Sequence, residues 1–257
     1  MTAAAQPRLL RYRSDICSLL VVATVLGMQF GLYVYKANRL LIVPLLFALR
    51  WVHLVEHNQA HKPMFFARSA NNVLEVALAL GTSIPVEGYR IHHVRTHHEL
   101  ENSPDDWTGP FAYKRAQFPD KPLPLVLYVW MLPLRAWYYA TKLSWEDRRT
   151  RRGALYFVSL GIVALGSFVL ASAEPAEFAW FYLLPWVVMM IAGAAANWLH
   201  HSDCTYEDEL SSANSRLTIF SRSLGFNIGY HAAHHAYPDA HWSELPALHC
   251  RLLDAHR

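Results

Sequence analysis

The stretch that decides the fold reads Asn-Ile-Gly-Tyr-His-Ala-Ala-His-His-Ala-Tyr-Pro-Asp-Ala-His-Trp and spans residues 227–242. It holds three histidines in a His-x-x-His-His pattern, His231, His234 and His235. Residues three and four apart share a face of a helix, so we expect His231 and His235 to stack, with His234 beside them. Because imidazole is a ligand for zinc, copper, iron and nickel, this stretch predicts a metal site.

Similar clusters of histidine lie upstream. His57 and His61 are four residues apart and are expected on one helical face. His93, His97 and His98 form a further cluster. On an α-helix His97 would lie about 40° from His93, and His98 about 100° further round. Adjacent histidines in this cluster can therefore face two different metals.

Four apolar runs approach or reach the roughly 20 residues that a helix needs to cross a bilayer. They cover about residues 16–35, 40–56, 154–173 and 178–199. Arg11 and Arg13 precede the first run, and a block of arginines at 148–152 precedes the third, which predicts that both flanks are cytoplasmic. Four spans then place both termini and every histidine cluster on the cytoplasmic side. Arg50, inside the second run, is expected to snorkel to the interface.

Two further apolar segments are not expected to span the membrane. Residues 72–85 are too few to cross and predict a re-entrant or interfacial helix. Residues 123–141 contain Pro124, Pro133 and Arg135 and predict an amphipathic interfacial helix. The predicted fold is therefore an all-α membrane protein with four transmembrane helices and a cytoplasmic, histidine-rich di-metal cap. No linker divides residues 1–257, so we expect a single domain.

Composition narrows the class of protein. The chain of 257 residues has a net charge of +3, which is too weakly basic to indicate nucleic-acid binding. Its three cysteines are too scattered for a disulfide framework or a zinc knuckle. The chain has 15 histidines but no Glu-x-x-His, which disfavours a soluble carboxylate-bridged di-iron bundle. It also has no His-Glu-x-x-His, which argues against a zinc protease.

The candidate metal ligands are nine histidines from four parts of the chain: His57, His61, His93, His97, His98, His201, His231, His234 and His235. One zinc ion takes about four ligands, so nine favour two metals. Nitrogen-rich, open coordination is typical of redox iron that binds oxygen. Within the doublets, His92 is an alternative to His93, and His200 to His201. The other histidines are expected to be ordinary surface or core residues: His53, His241, His249 and His256.

These clusters resemble the three histidine boxes of the integral-membrane fatty-acid desaturase and hydroxylase superfamily. The corresponding segments here are residues 57–61, 93–98 and 231–235, and the similarity covers about residues 40–247. The family's additional Asn-x-x-x-His element matches Asn197 to His201. The resemblance implies that His201 is a ligand and that Asn197 contacts a metal-bound water.

The resemblance also implies the chemistry: two irons and O2 oxidise an unactivated C–H bond of a long acyl chain. A desaturase is the expected activity, with a hydroxylase as the nearest alternative. A terminal-alkene-forming decarboxylase and a carotenoid oxygenase are more distant. The chain lacks a fused cytochrome b5 signature and rubredoxin-like cysteine pairs, so a separate donor of ferredoxin, rubredoxin or cytochrome b5 type must supply electrons. A histidine-lined metal transporter is disfavoured, because transport sites usually lie near mid-membrane. The histidine clusters here are expected at the ends of spans and in loops.

Other side chains near the boxes have expected supporting roles. Ligating histidines usually donate their second N–H to a carboxylate, and the candidates are Asp105, Asp106 and Asp239, with loop capping as the alternative role. We expect Asp239→Ala to lower iron content or activity without loss of expression. The candidates for the wall of a substrate channel are Tyr89, Trp107 and Trp242, although interfacial anchoring is an equal alternative for each aromatic.

Overall fold

The computed structural model describes residues 9–101, 103, 105–111, 122–205, 207–222 and 224–256. Across these ranges the chain is helical and forms no β-strand; one isolated bridge joins Leu10 to Phe65. The helices that precede residue 101 are α1 Asp15–Val34, α2 Ile42–His61, α3 Arg68–Thr82 and the short α4 Val86–Tyr89, which continues as a π-helix over Arg90–His98. The helices that follow are α5 Leu125–Glu146, α6 Arg151–Ala173, α7 Pro175–Phe178, α8 Leu184–His201, α9 His231–Ala236 and α10 Leu245–Ala255.

Four helical segments are long and apolar enough to cross a membrane, and they confirm the four predicted spans. They cover Asp15–Val34, Arg39–His61, Arg151–Ala173 and Pro175–His201. A one-turn 3₁₀ helix, Arg39–Leu41, opens the second span, and a π-helical stretch, Ala179–Leu183, joins α7 to α8 in the fourth. The second and fourth spans extend beyond the predicted apolar runs, because helices α2 and α8 continue to His61 and His201.

The segments predicted to be interfacial are helical. Residues 72–85 fall mostly within α3, and residues 123–141 within α5. Pro133 lies inside α5 without ending it. The helix carries a row of exposed aromatic and aliphatic side chains, including Trp130, Leu134 and Trp137. Such a surface on a helix that also contains Arg135 fits a position at the membrane interface.

Helix α2 is the centre of the packing. It contacts α1, α3, α4 and α8. Its side chains Leu45, Leu49, Val52 and Val55 are fully buried in the main apolar core. Since the same helix ends in a histidine cluster, the core fixes the position of these histidines relative to the other helices.

A buried ionic cluster joins α2, α3 and the π-helix. Arg90 lies between the carboxylates of Glu75, at 3.3 Å, and Glu87. Its Nε donates to the carbonyl of Ala60 at 3.1 Å, one residue before His61. Gln59 Nε2 donates to Glu75 Oε1 at 3.1 Å. The charged groups are therefore paired where they are buried, as they must be to avoid a large desolvation cost.

The loops that connect the spans at the other end of α2 lie together. Lys36, after α1, forms an ion pair with Glu174, after α6, at 2.7 Å. Trp180 Nε1 donates to the carbonyl of Arg39 at 3.0 Å. Each of the four spans runs between this end of the bundle and the histidine end. All histidine clusters thus lie at the same end of the helical bundle, as the span count predicted.

Candidate metal centre

The nine predicted histidines come together at one end of the bundle, and their nitrogens fall into two groups. The first group contains His57, His61, His93 and His234, whose candidate ligand nitrogens lie within 4.8 Å of one another. The second group contains His97, His201 and His235 within the same limit of 4.8 Å.

His98 extends the first group. Its Nε2 lies 3.0 Å from Nε2 of His234 and 3.2 Å from Nε2 of His93. Nε2 atoms of His57 and His93 are themselves 2.9 Å apart. Five imidazoles therefore direct nitrogens at one small volume.

His231 extends the second group. Its Nε2 lies 3.2 Å from Nε2 of His201, and that atom is 2.9 Å from Nε2 of His97. The rings of His231 and His235 are 4.9 Å apart. Four imidazoles surround this second volume, which makes nine donors for two positions.

Helix α9 directs its three histidines to both groups. His231 and His235 are one turn apart and belong to the second group, whereas His234 points to the first. In α2, His57 and His61 lie on one face with ring centroids 4.8 Å apart. The i, i+4 spacing thus delivers pairs of ligands to a common site.

The π-helix changes the geometry expected for the middle cluster. Arg90–His98 has wide turns in which residues five apart are aligned, instead of the α-helical turns used for the prediction. His98 therefore lies over His93 in the first group, and His97 turns to the second. Adjacent histidines thus face different groups, and His93 is paired with His98 because of the wider turn. That the two groups bind two metals stays a prediction.

The chemistry of the cluster fits metal ions. Burial lowers the pKa of His93, His234 and His235 well below the ordinary histidine value, with smaller contributions from neighbouring rings. Neutral imidazole is the form that binds a metal. Both ring nitrogens of His235 are buried and accept or donate no hydrogen bond within the described residues. Such orphaned nitrogens are costly unless a ligand satisfies them.

Carboxylate and carbonyl groups orient the rings from outside, so that Nε2 remains available. His97 Nδ1 donates to Asp106 Oδ2 at 3.0 Å. Burial raises the pKa of the Asp106 carboxyl, but hydrogen bonds from His97 and Thr108 outweigh it, and the pKa is lowered overall. His201 Nδ1 donates to the carbonyl of Ser212 at 3.3 Å. These contacts fix the tautomer that directs Nε2 inward.

The three aspartates predicted to act in this way occupy different positions. Asp106 is fully buried against His97, whereas Asp105 is exposed. Asp239 is exposed too, and its backbone carbonyl, not its carboxylate, accepts a hydrogen bond from Lys62 Nζ at 2.8 Å. Of these three aspartates, Asp106 makes the expected carboxylate–histidine contact.

Asn197 lies one helical turn before His201. Its Nδ2 donates to the carbonyl of Thr108 at 3.3 Å and to the hydroxyl of Tyr128. Asn197 also lines the main cavity. The contact of Asn197 with a metal-bound water stays a prediction.

A cavity of about 750 Å³ leads to both groups of histidines. Its walls come from α2, α4, the π-helix, α5, α6 and α8 and are mainly apolar. His57, His93, His97 and His231, which belong to the two histidine groups, are among the lining residues. Cavities of this size and polarity are typical of small-molecule sites. The volume and the apolar lining suit an alkyl chain beside the histidine groups.

Of the three aromatic residues predicted for a channel, Tyr89 lines this cavity. Trp107 instead stacks on Tyr139, with ring centroids 4.6 Å apart. Trp242 donates to Asp15 Oδ1 at 3.2 Å, away from the cavity. Much of the wall comes from small and aliphatic residues of α5 and α8, whose sequences offered no distinctive signal for this role.

In each of the two histidine doublets, one histidine belongs to a group of candidate ligands and the other has a different contact. His93 and His201 belong to the two groups, whereas His92 packs on Tyr89 at 4.6 Å and His200 donates through Nδ1 to the carbonyl of Asn214 at 2.9 Å. The His200 ring lies 4.1 Å from that of His231. His53, His92 and His200 all line the cavity, a role that sequence reasoning missed.

A further contact that the sequence did not indicate ties the N-terminal segment to the last cluster. The buried carboxylate of Asp15 receives hydrogen bonds from His241 Nε2, at 3.1 Å, and from Trp242 Nε1. Tyr12 stacks on His241 with ring centroids 3.8 Å apart. The partners are too distant in sequence for any local pattern to reveal them.

Comparison with known proteins gives one match. A family model described as fatty acid desaturase matches residues 37–256, which include α2 to α10 and all nine histidines. Neither the curated proteins nor the solved structures contain a significant match.

Proposed function

Because this chain belongs to the fatty acid desaturase family, we propose that it is a membrane-bound, O2-dependent di-iron oxidoreductase that introduces a double bond into a fatty acyl chain. The observation that carries the proposal is the apolar cavity of about 750 Å³ that ends at both histidine groups. An acyl chain in this cavity would present a methylene segment to the two metal positions.

We propose the nine histidines as the ligands of two irons. His57, His61, His93, His98 and His234 hold one, and the other is held by His97, His201, His231 and His235. When bound, the irons supply the oxidising chemistry: O2, two hydrogens of the acyl chain, two electrons and two protons give an alkene and two waters. Asn197 is proposed to hold a water at the second position.

The chain's own residues position the metal ligands and the substrate. Asp106 holds the His97 ring through Nδ1, and the apolar walls exclude water and align the alkyl chain. Fixing a reacting segment next to a catalytic group removes much of the entropic cost of reaction. Acid–base groups have little part in this scheme, because the hydrogens come from unactivated carbon.

The remaining parts of the system are also proposals. The histidine end and both termini face the cytoplasm, which is supported by the arginines that flank the first and third spans. A separate protein of ferredoxin, rubredoxin or cytochrome b5 type donates the electrons at that face. The substrate reaches the cavity as an acyl lipid or thioester from the membrane.

The proposal is tested by expression in a host with a known lipid profile. Mass spectrometry of acyl products compares the native chain with His231→Ala and with His249→Ala, a control at a histidine outside both groups. We expect a new double bond that His231→Ala abolishes and His249→Ala retains. A new hydroxyl with the same dependence would identify a hydroxylase instead, and a product that survives His231→Ala would contradict the proposed site.

A further inference from the structure

Arg50 is a positive charge placed halfway along a membrane span. It is equidistant from the two ends of Arg39–His61, on the helix that carries the first histidine pair. A charged side chain at this depth is unfavourable and, in membrane proteins, usually faces an interior cavity or a partner. Its presence therefore needs a specific explanation.

The surroundings of Arg50 provide no opposite charge. Arg50 is exposed and lies on the wall of the large cavity, and the other described residues of the wall include no aspartate, glutamate or lysine. Within the described part of the chain, no carboxylate forms an ion pair with it.

The position of Arg50 on α2 relates it to the metal site. Arg50, His53 and His57 follow one face of the helix at i, i+3 and i+7, and all three line the cavity. Seven residues correspond to about 10 Å along the helix axis. A ligand that contacts Arg50 can therefore extend along the same wall to the first histidine group.

We propose that Arg50 binds the negatively charged end of the acyl substrate, a carboxylate or a phosphate, and thereby positions the alkyl chain against the histidine groups. The inference rests on the proposed function and names the chemical class of its substrate. A guanidinium forms bidentate hydrogen bonds with either anion, and these charge-assisted pairs are stronger and more specific in geometry than hydrogen bonds between neutral groups. Neutral hydrocarbons and carotenoids lack a group that would compensate this charge.

A carboxylate would come from a free fatty acid and a phosphate from a glycerophospholipid. Both are oxyanions that a guanidinium can bind, and binding measurements distinguish the two lipids. The alternative role for Arg50, snorkelling into the bulk headgroup layer, gives no preference among ligands of the cavity.

Binding is measured with the metal-loaded protein in dodecyl maltoside micelles, by quenching of intrinsic tryptophan fluorescence. One pair of probes is palmitate and methyl palmitate, and the other is dipalmitoyl phosphatidic acid and dipalmitoylglycerol. The variants are Arg50→Gln, Arg50→Lys and Arg149→Gln, the last an identical substitution at an exposed arginine outside the cavity. For each probe, the ratio of the affinities of two variants does not depend on how strongly the probe partitions into the micelle.

We expect at least one charged probe to bind the native chain about tenfold or more tightly than its neutral counterpart. Arg50→Gln should abolish this preference, whereas Arg50→Lys should retain part of it and Arg149→Gln all of it. A preference confined to the first pair identifies a carboxylate, and one confined to the second a phosphate. Equal binding of charged and neutral probes to the native chain, or a preference that survives Arg50→Gln, would overturn the inference.

This measurement requires no turnover. Arg50-dependent binding in a chain that forms no oxidised product in the expression host would contradict the proposed function alone. A double bond formed with equal binding of charged and neutral probes would contradict the role of Arg50 alone.

Discussion

His97 shows how much of the site is set by single side chains. Its Nδ1 is held by Asp106, which leaves Nε2 to face His201 at 2.9 Å. Asp106 in turn accepts a hydrogen bond from the backbone N–H of Thr108 at 2.9 Å. The carboxylate therefore fixes both the orientation and the tautomer of a proposed ligand.

Substitution of Asp106 should lower metal occupancy at the second group. We expect Asp106→Ala to lower metal affinity or turnover about 10–100-fold, the usual effect of removing such a partner. Asp105→Ala is the matched control, because this neighbouring carboxylate is exposed. Metal analysis and product yield are measured for both variants, and equal losses would assign the effect to the loop instead of the hydrogen bond.

At this scale the sequence was most informative about the histidines. Their spacing selected the nine side chains that the structure brings together, because i, i+4 pairs and doublets are visible in the chain itself. The sequence could not distinguish buried Asp106 from exposed Asp105 and Asp239, since all three lie near a box. It also gave no sign of the Asp15–His241 contact, which depends on how distant segments pack.

Among the elements, the π-helix Arg90–His98 has the greatest effect on the site. Its extra residue per turn sends His97 and His98 to different groups. Arg90 anchors its first turn between Glu75 and Glu87 and to the carbonyl beside His61. The wider turn was not predictable from hydrophobic periodicity, which assumes α-helical turns of about 3.6 residues.

Loss of this anchor should destabilise the whole fold. We expect Arg90→Ala to lower the free energy of unfolding by about 3–5 kcal/mol, because two buried carboxylates lose their cation. Arg95→Ala, which breaks an exposed pair with Asp147, should cost about 0–1 kcal/mol. Thermal unfolding in detergent compares the two variants; a similar shift in both would show that the buried cluster contributes little.

Helix α8 allows the role of the cavity to be tested without altering any proposed ligand. Gly193 lines the cavity, and a Cβ at this position would meet no atom within 4 Å. Gly193→Leu is expected to occupy cavity space, to reduce turnover of long acyl chains more than that of short ones, and to leave metal content unchanged.

The matched control for this variant is Gly161→Leu on α6, where a Cβ also meets nothing within 4 Å but the residue does not line the cavity. Product profiles for substrates of different length are compared between the two variants. The same profile in both would show that the acyl chain lies elsewhere.

For the whole molecule, sequence alone predicted the number and order of the spans, because uncharged runs of membrane length are a strong signal. Of the cavity wall it predicted only Tyr89, because the wall forms where α2, α4, the π-helix, α5, α6 and α8 meet. Residues such as Leu132 and Ala136 on α5 belong to its wall but look like ordinary apolar residues. The interpretation of residues 1–257 as one domain stays a prediction.

An even number of spans places both termini on one side of the membrane, and the arginines that flank the first and third spans favour the cytoplasmic side. In a chain lacking its native cysteines, Tyr35→Cys, at a position that is 84% exposed, should react with a membrane-impermeant maleimide in intact cells. A chain that retains only Cys250, which is exposed near the C-terminus, should react only after the cells are permeabilised. The reverse pattern would place the histidine end outside.

The central claim is that nine histidines hold two irons, and metal analysis of the purified chain tests it most directly. Elemental analysis of protein from iron-supplied cells should give two irons per native chain with little zinc. His234→Ala and His235→Ala, neighbours that face different groups, should each reduce the iron content, whereas His249→Ala should leave it unchanged. A single bound metal, or an iron content that is the same in all four proteins, would contradict the account.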